Sequence, residues 1–521
     1  MTKTVDGLVS ATALLHPSRP AVTFGADTVS YASLSARVDV VAAGLVRLGL
    51  ERGQRVAVLL EKRIETVVAF LGASRAAGVF VPVNPVLKPA QVGHILRDCM
   101  VSVLVTTPER YSAVALHVVE AGVRTVVLVG AESGQDRPPQ VSGPTLVAWL
   151  DLETPVAGPM PDGPVVDTDV ASIFYTSGST GLPKGVVLSH RNMVVGAESV
   201  SEYLGNDETD VILAALPLSF DAGFSQLTTA FARGAHVILV NYLFATDVVR
   251  LVAQHRVTGL TCVPPLWIQL ARATWPDGSA ESLRYFANTG GRMPRSTLEA
   301  LRSLFPGAKP YLMYGLTEAF RSTYLDPSEV DRRPDSIGKA IPNAEVLVVR
   351  PDGTLCADDE PGELVHRGPL VSLGYWNDPD RTAERFKPAP GIPSELPITE
   401  LAVWSGDTVA RDSDGFLYFV GRSDDMIKTS GYRVSPTEVE EAAYDTGLVR
   451  DVVALGVADE ALGERIVLVM SGQGSAKGVT EAMRGRLPLF MLPKEVHVLE
   501  ELPRSPNGKF DRTLIRTMVT P

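Results

Sequence analysis

The chain has 521 residues, of which 45% are hydrophobic and 21% charged, and its formal net charge at pH 7 is -12. This length exceeds what one hydrophobic core usually organises, so we expect more than one domain. The acidic balance, with no run of Lys and Arg, excludes a general nucleic-acid binder.

The first part of the chain alternates between helix-like and strand-like patterns. Residues 34–48 have helical periodicity, and residues 55–60 and 101–105 are short apolar runs. The alternation returns after residue 169, with further strand candidates at residues 171–175, 211–215, 236–240 and 259–263. This pattern predicts a layered α/β fold in which helices cover a parallel sheet.

Three later stretches differ in texture from this alternation. Residues 131–164 are rich in Pro, Gly, Asp and Ser and are predicted to form a surface connection. Residues 337–420 contain short strands separated by turns, which is typical of an antiparallel β unit. Residues 424–521 return to a mixture of α and β patterns.

The N-terminus and the cysteines indicate the compartment. The first twenty residues lack the basic start and sustained apolar stretch of a secretory signal, and no later run could span a bilayer. Cys99, Cys262 and Cys356 lie far apart without metal-ligand spacing, which argues against a zinc site or a disulfide framework. We therefore expect a soluble cytoplasmic protein without a membrane partner.

Residues 175–186, YTSGSTGLPKGV, form a glycine- and hydroxyl-rich loop after a β-rich run. Glycines let backbone amides approach phosphate oxygens, hydroxyls donate hydrogen bonds, and a lysine adds positive charge. The spacing departs from the Walker A motif, and such a composition is also typical of an exposed turn. The predicted phosphate-binding residues are Thr176, Ser177, Gly178, Ser179, Thr180, Gly181 and Lys184.

This loop closely resembles the signature loop of the adenylate-forming superfamily, which contains acyl-CoA synthetases, firefly luciferase and nonribosomal peptide synthetase adenylation domains. Further matching segments follow in the family's order over nearly the whole chain. The resemblance implies an α/β protein with an N-terminal adenylation domain at residues 1–423, made of layered α/β subdomains and a β-barrel-like subdomain. It also implies a small, mobile α+β domain at residues 424–521 with a hinge at Asp424.

The same resemblance implies a nucleotide site for ATP and Mg²⁺. In YGLTE, Tyr314 would stack on adenine, Thr317 would contact the α-phosphate and Glu318 would help to hold magnesium. Without the family, Glu318 would be interpreted as a solvated surface acid. The remaining nucleotide-site residues are Asp407, for the ribose hydroxyls, Arg422, Gly290 and Gly291.

Two C-terminal segments resemble the loops that act in the two half-reactions. Residues 427–433, IKTSGYR, are similar to the loop that enters the site for thioester formation, where Gly431 would let pantetheine pass. Lys428 in this loop is assigned a catalytic role. Residues 506–509, PNGK, match the loop whose lysine, here Lys509, bridges the carboxylate and the α-phosphate during adenylation. A lone lysine in an Asn-Gly turn would otherwise be a solvated side chain.

The segment LSFD resembles amino-acid-activating domains, in which an aspartate, here Asp221, pairs with the substrate's α-ammonium group. Arg321 occupies a position that such domains usually give to a neutral residue, so it either pairs with Asp221 or binds an acidic group of the substrate. Aligned by motif, the predicted pocket comprises Asp221, Ala222, Ser225, Cys262, Ala287, Thr289, Met313, Arg321 and Ser322.

The resemblance implies ATP-dependent adenylation of a carboxylic acid bearing an amino group, with release of pyrophosphate. The acyl group would then pass to the phosphopantetheine thiol of a free carrier protein. The alternative is an AMP-forming acyl-CoA synthetase that joins a non-amino acid to CoA, which residues 435–440 and the resemblance of residues 314–325 to exosortase-associated acyl-CoA ligases favour. A luciferase-like oxygenase and a non-catalytic homologue are further alternatives.

Overall fold

The structure is a computed structural model that describes residues 4–132, 143–154, 165–176, 183–291, 293, 295–393, 395–397, 399–422, 426–503 and 510–520. Some predicted site residues lie outside the described residues: Ser177, Gly178, Ser179, Thr180, Gly181, Asp424 and Lys509. The side chain of Arg422 is also outside the described part.

Residues 4–154 alternate between helices and short strands, as the sequence predicted. Their elements are α1 (Val5–Leu15), β1 (Pro20–Phe24), β2 (Asp27–Ser30), α2 (Tyr31–Arg47), β3 (Arg55–Val58), α3 (Ile64–Arg75), β4 (Val79–Pro82), α4 (Pro89–Asp98), β5 (Val101–Thr106), α5 (Pro108–Glu120), β6 (Thr125–Leu128), β7 (Thr145–Ala148) and α6 (Trp149–Leu152).

The alternation continues to residue 325. The elements are β8 (Val170–Thr176), β9 (Lys184–Ser189), α7 (His190–Tyr203), β10 (Val211–Ala214), α8 (Asp221–Arg233), β11 (His236–Leu239), α9 (Ala245–His255), β12 (Gly259–Cys262), α10 (Pro264–Arg272), β13 (Tyr285–Asn288), α11 (Arg295–Leu304), β14 (Lys309–Tyr314) and β15 (Thr323–Leu325).

Short strands follow, and then a mixed C-terminal unit. The elements are β16 (Ser336–Ala340), β17 (Glu345–Val349), β18 (Gly362–Arg367), α12 (Pro379–Arg385), β19 (Phe386–Pro388), β20 (Leu401–Arg411), β21 (Leu417–Arg422), β22 (Ile427–Thr429), β23 (Tyr432–Val434), α13 (Pro436–Tyr444), β24 (Asp451–Asp459), β25 (Gly463–Ser471), α14 (Ala476–Arg484), β26 (Glu495–Val498) and α15 (Arg512–Val519).

Two large sheets organise the first four fifths of the described chain. One has seven strands in the order β7-β6-β5-β3-β4-β8-β9, parallel except for the terminal β8–β9 hairpin. The other has fourteen strands, in which β14, β13, β12, β10, β11 and β1 are parallel. The antiparallel strands β15–β18, β20 and β21 continue this sheet beyond β14, as predicted for residues 337–420.

Side chains on the parallel strands alternate between two hydrophobic cores on opposite faces of the sheet. On β10, Ile212 and Ala214 belong to one core, whereas Leu213 and the following Ala215 belong to the other. Both faces are buried because helices cover the sheet, which confirms the predicted α/β layering. This alternation later decides which side chains reach the candidate site.

One predicted surface connection contains secondary structure. Residues 145–152 form edge strand β7 and the short helix α6, in which Trp149 and Leu152 are buried. The apolar run TLVAWL packs on the neighbouring sheet, although it lies inside a stretch otherwise rich in Pro, Gly and Ser. Composition averaged over the whole stretch therefore concealed a core element.

The C-terminal unit forms its own five-stranded sheet, with order β23-β22-β25-β24 and β26 beside β25. Helices α13 and α14 cover one face and α15 covers the other. The boundary at residues 423 and 424 remains a prediction, because residues 423–425 are outside the described residues. Among the helices that the structure describes, none combines the length and apolar character needed to cross a membrane.

Candidate active site

The predicted site residues gather at the carboxyl ends of the parallel strands of the large sheet. The turn after β10 leads to Asp221, the turn after β13 contains Gly290 and Gly291, and the segment after β14 carries Thr317 and Glu318. Ligands of open α/β sheets bind in a crevice at this edge of the sheet. The fold therefore brings residues from distant parts of the sequence to one place.

The predicted phosphate loop connects β8 to β9 at the end of the seven-stranded sheet. Thr176 on β8 pairs with Lys184 on β9, and the intervening residues 177–182 are outside the described part. The Thr176 hydroxyl oxygen is buried and has no hydrogen-bond partner among the described residues. A buried hydroxyl at the mouth of this loop is suited to donate to a phosphate oxygen.

Lys184 joins the phosphate loop to the segment after β14. Its Nζ donates to Glu318 Oε1 at 3.0 Å and to Tyr375 Oη at 2.8 Å, and it lies 4.1 Å from the centre of the Tyr375 ring. Tyr375 Oη donates in turn to Glu318 Oε1 at 2.7 Å. Glu318 is only 5% exposed, so these groups form a closed, charged cluster.

Electrostatics keep the Glu318 carboxylate ionised despite its burial. Desolvation alone would raise the pKa of Glu318, but the charges of Lys184 and Arg433 and the hydrogen bond from Tyr375 lower it below its usual value. Burial also lowers the pKa of Lys184, while the charge of Glu318 opposes that change. The cluster therefore contains a carboxylate that remains charged at neutral pH.

The predicted adenine and ribose contacts are neighbours in the structure. Tyr314, at the end of β14, donates from Oη to Asp407 Oδ2 at 2.5 Å. Asp407 is buried on β20, and its backbone N–H donates to Ser405 Oγ. An aromatic face beside a carboxylate matches the pair of roles that the resemblance assigned to Tyr314 and Asp407.

Asp221 and Arg321 form a buried ion pair. Asp221 is the first residue of α8, and its Oδ2 accepts a hydrogen bond from Arg321 Nη1 at 3.2 Å. The Thr317 hydroxyl donates to Asp221 Oδ1 at 3.1 Å. Burial raises the pKa of Asp221, while Arg321 and Thr317 act in the opposite direction. Thr317 thus links this pair to the neighbouring Glu318–Lys184 cluster.

A small cavity of about 20 Å³ adjoins the ion pair. It receives polar side chains from three elements and apolar side chains around them. Its lining residues are Val200, Leu204, Ile212, Ala222, Ser225, Gln226, Thr229, Thr261, Tyr285, Met313 and Arg321. Four of the predicted pocket residues, namely Ala222, Ser225, Met313 and Arg321, are therefore in the wall.

The other predicted pocket residues lie elsewhere. Cys262 packs in the core on the opposite face of the sheet, whereas Thr261, which sequence reasoning missed, lines the cavity. Successive side chains of a strand point to opposite faces, so a shift of one position along β12 exchanges the two. Ala287 is the in-register neighbour of Thr261, and Thr289 donates its backbone N–H to the Cys262 carbonyl oxygen.

Ser322 is fully buried and does not line the cavity. Its hydroxyl lies 3.1 Å from Nδ1 of His366, a buried residue of β18. Burial lowers the pKa of His366 to about 4, so this imidazole is neutral at pH 7. Ser322 therefore contacts the antiparallel part of the sheet rather than the space beside Asp221.

The β22–β23 hairpin of the C-terminal unit lies against the same edge. Its turn residues Ser430 and Gly431 have φ angles of 54° and 81°, as a tight two-residue hairpin requires. A Cβ on Gly431 would lie 2.8 Å from Val263 Cγ1. Tyr432 packs edge-on against Phe220, the residue before Asp221, with ring centres 5.1 Å apart. Lys428 lies over the Phe419 ring at 4.7 Å.

Tyr375 is the principal member of the site that sequence reasoning missed. It lies 191 residues after its partner Lys184, outside every motif used for the resemblance. An aromatic residue in the segment SLGYWND carries no signal of its own chemistry. Thr261, by contrast, could have been found by applying strand alternation to residues 259–263.

Comparison with known proteins identifies the family. Residues 9–376 match the AMP-binding enzyme family, and residues 438–509 match the AMP-binding enzyme C-terminal domain. The L-proline--[L-prolyl-carrier protein] ligase of Streptomyces coelicolor is 32% identical over 529 residues, covering 98% of this chain and 96% of that protein. The sulfoacetate--CoA ligase of Cupriavidus necator is 30% identical with the same coverage.

Other relatives are much longer than this chain, which spans 9% and 6% of linear gramicidin synthase subunits D and C of Brevibacillus parabrevis, at 27% and 29% identity. Among solved structures, a double mutant of o-succinylbenzoate CoA synthetase from Bacillus subtilis has a TM-score of 0.83 and 25% identity. That match covers 98% of this chain and 97% of the other. The predicted superfamily, fold class and ligase class are confirmed. The chain belongs to the AMP-binding enzyme family.

Proposed function

We propose that this chain activates a carboxylic acid bearing an amino group as its acyl adenylate, and then transfers the acyl group to the phosphopantetheine thiol of a free carrier protein. One observation carries this proposal: the buried Asp221 carboxylate is hydrogen-bonded to Thr317, the residue before Glu318 in the Glu318–Lys184 cluster. A carboxylate buried in a pocket wall requires a cationic partner, which an ammonium group supplies. The 32% identical prolyl-carrier-protein ligase supports the amino acid and the carrier.

In the first half-reaction, a carboxylate oxygen of the acid attacks the α-phosphorus of ATP. The bond from that phosphorus to the bridging oxygen breaks, and pyrophosphate leaves with the bonding electrons. The enzyme contributes positioning and charge stabilisation to such a step rather than covalent chemistry. Lys184 and Arg433 supply positive charge around Glu318. Lys509, outside the described residues, keeps the role that the resemblance gave it.

A magnesium ion fits the acid at Glu318. No group of three or more His, Cys, Asp or Glu side chains suited to a metal occurs in the described part of the chain. The ion would therefore take Glu318 as a protein ligand and complete its shell with phosphate oxygens and water, as Mg²⁺ usually does. When bound, it would neutralise phosphate charge during the displacement. The lowered pKa of Glu318 keeps this ligand ionised.

In the second half-reaction, the pantetheine sulfur attacks the acyl carbon and AMP leaves. Gly431 lies beside Val263 and Gly290 at the edge that also carries Asp221. Because a glycine leaves open space where a side chain would stand, this hairpin is suited to line the approach of the thiol arm. The contact between Tyr432 and Phe220 supports placing the hairpin next to the acid pocket.

A second candidate is an AMP-forming acyl-CoA synthetase for an acid without an amino group. It is favoured by the Arg321–Asp221 ion pair, which already supplies Asp221 with a cationic partner. The 30% identical sulfoacetate--CoA ligase supports CoA as an acceptor. Both acceptors present the same thiol arm, so the acceptor must be decided by measurement.

The first prediction concerns Asp221. The Asp221→Asn variant should lose at least about 100-fold in acid-dependent ATP–pyrophosphate exchange with an amino acid substrate, because its ammonium loses a buried counter-charge. Exchange with the desamino analogue should change far less. A wild-type enzyme that uses both acids equally well would contradict the amino-acid assignment. Transfer to CoA and to a phosphopantetheinylated carrier protein, compared side by side, then identifies the acceptor.

A further inference from the structure

The Asp221–Arg321 pair in the wall of the cavity is costly to bury. The side chains are 14% and 4% exposed, and apolar residues surround them. Taking two charges out of water opposes folding unless their hydrogen-bonding capacity is used, and well-packed apolar residues are often as stable or more so. Arg321 also follows Phe320, whose φ of 55° is strained for a bulky residue. Such a pair in a pocket wall suggests a binding role.

The pair is also incomplete. Both hydrogen bonds of Arg321 leave from Nη1, one to Asp221 Oδ2 at 3.2 Å and one to the Phe320 carbonyl oxygen at 3.3 Å. Its Nε is buried and has no partner within the described residues. A guanidinium group has five N–H donors in a planar fork that matches a carboxylate with two parallel bonds. Arg321 therefore presents unused donors at the cavity that it lines.

We propose that the substrate is a short amino dicarboxylic acid, the size of aspartate or glutamate. Its ammonium group binds Asp221, its second carboxylate binds Arg321, and its first carboxylate is the one activated. This inference rests on the proposed adenylation function and specifies its substrate class. It also makes Arg321 a specificity-determining residue.

Charge balance separates this substrate from its competitors. With an amino dicarboxylic acid, each buried charge of the wall gains an opposite charge from the ligand. A neutral-side-chain amino acid adds one positive charge to a wall that already contains Arg321, and a dicarboxylic acid without an amine adds a negative charge beside Asp221. Unpaired buried charges discriminate strongly against the wrong ligand.

The size of the cavity limits the length of the substrate. About 20 Å³ holds little more than one water-sized group. Its inner end is closed by large buried side chains: Tyr203 donates from Oη to Met313 Sδ at 2.9 Å and stacks on Tyr324 with ring centres 4.2 Å apart. A long alkyl chain or a large aryl group would have to displace this packed cluster. A short, doubly charged side group needs only the space between Asp221 and Arg321.

The test is ATP–pyrophosphate exchange with matched acids: aspartate and glutamate against asparagine, succinate and butyrate. The wild-type enzyme should prefer the amino dicarboxylic acids by at least about 100-fold in kcat/KM. Arg321→Gln should reduce exchange with aspartate and reverse the preference towards asparagine. Arg333→Gln, which breaks an exposed ion-pair group around Asp414, serves as a matched control and should preserve the preference.

The outcomes separate this inference from the function on which it rests. Equal use of asparagine and aspartate would overturn the role of Arg321 while leaving amino-acid activation intact. Equal use of succinate and aspartate would overturn both the amine and this inference, yet leave adenylation in place. Exchange with none of the acids, from a protein whose thermal unfolding shows it to be folded, would overturn the proposed function together with the inference.

Discussion

Lys62 is a buried lysine that holds the carboxyl end of β10. Its Nζ donates to the carbonyl oxygens of Ala214, Ala215 and Leu216 at 2.8, 2.8 and 3.2 Å. Within the described residues no carboxylate forms an ion pair with it. Burial lowers the pKa of Lys62 to about 7. Because Leu216 begins the turn towards Asp221, Lys62 acts as a positioning residue for the acid pocket.

The stability of the protein should therefore depend on pH through Lys62. In the folded chain this ammonium deprotonates near pH 7, whereas in the unfolded chain it keeps its proton until about pH 10.5. Between these values the unfolded state binds more protons, so the free energy of unfolding rises with pH, by at most about 1.4 kcal/mol per pH unit. We expect the wild type to gain thermal stability relative to Lys62→Met between pH 7 and pH 9.

The control for this measurement is Lys494→Met, because Lys494 is exposed. That variant should follow the wild-type pH dependence. Lys62→Met should also be less stable at every pH, since three carbonyl oxygens lose their donor. Parallel pH profiles for the wild type and Lys62→Met would contradict the assignment.

Lys184 and Tyr375 allow the charge in the phosphate cluster to be separated from its neutral hydrogen bond. Lys184→Met should lower acid-dependent pyrophosphate exchange by about 100-fold or more, because a positive charge beside the phosphates is lost. Tyr375→Phe should lower it by about 10-fold or less, since the ring under the ammonium remains and one hydrogen bond to Glu318 is lost. Equal losses in the two variants would contradict the proposed role of the lysine charge.

At this scale, the sequence predicted residues that carry a motif and missed those that do not. Lys184, Glu318 and Asp407 were predicted from short segments whose chemistry is apparent without a fold. Tyr375 could not be predicted, because its role arises only when the chain brings it 2.7 Å from Glu318 Oε1. The roles of all these residues in catalysis remain predictions.

Among the elements, the β22–β23 hairpin has the clearest separable role. Both turn residues, Ser430 and Gly431, adopt positive φ angles, and Gly431 is packed against Val263. A hairpin with this geometry fixes its tip rigidly relative to its strands. Its contacts with the acid-pocket edge are the reason for placing it in the second half-reaction.

Gly431→Ala should impair thioester formation while leaving adenylation largely intact. The new Cβ would lie 2.8 Å from Val263 Cγ1 and would strain the positive φ, so the tip must move away from the thiol path. Single-turnover transfer from preformed acyl adenylate measures this step, and pyrophosphate exchange measures the other. Gly447→Ala is the matched control, because Gly447 also has a positive φ, 69°, but no atom within 4 Å of the new Cβ. Equal loss of both half-reactions would contradict the assignment.

Strand β12 shows how far element-level prediction reaches. The strand at residues 259–263 was predicted nearly to the residue, since it is observed at Gly259–Cys262. Alignment by motif nevertheless selected Cys262 for the pocket, while the cavity is lined by Thr261. Strand existence follows from local apolar character, but the face that each residue presents depends on register with neighbouring strands.

For the whole molecule, parts of three sheets meet around one site. The seven-stranded sheet supplies the β8–β9 hairpin with Lys184, the fourteen-stranded sheet supplies Asp221, Glu318 and Arg321, and the five-stranded sheet supplies the hairpin with Gly431. The sequence predicted the α/β class, the antiparallel unit and the mixed C-terminal unit. The pairing order of the strands and the buried Asp221–Arg321 ion pair could not be predicted, because both depend on contacts between residues far apart in the chain.

The most direct test of the central claim is acid-dependent ATP–pyrophosphate exchange by the wild-type chain with Mg²⁺ and no thiol acceptor. The account predicts that labelled pyrophosphate enters ATP when an amino-group-bearing acid is present, and that this requires neither CoA nor a carrier protein. Omission of the acid should abolish the exchange. A folded wild-type chain that shows no exchange with any amino, aryl, fatty or dicarboxylic acid would contradict the account.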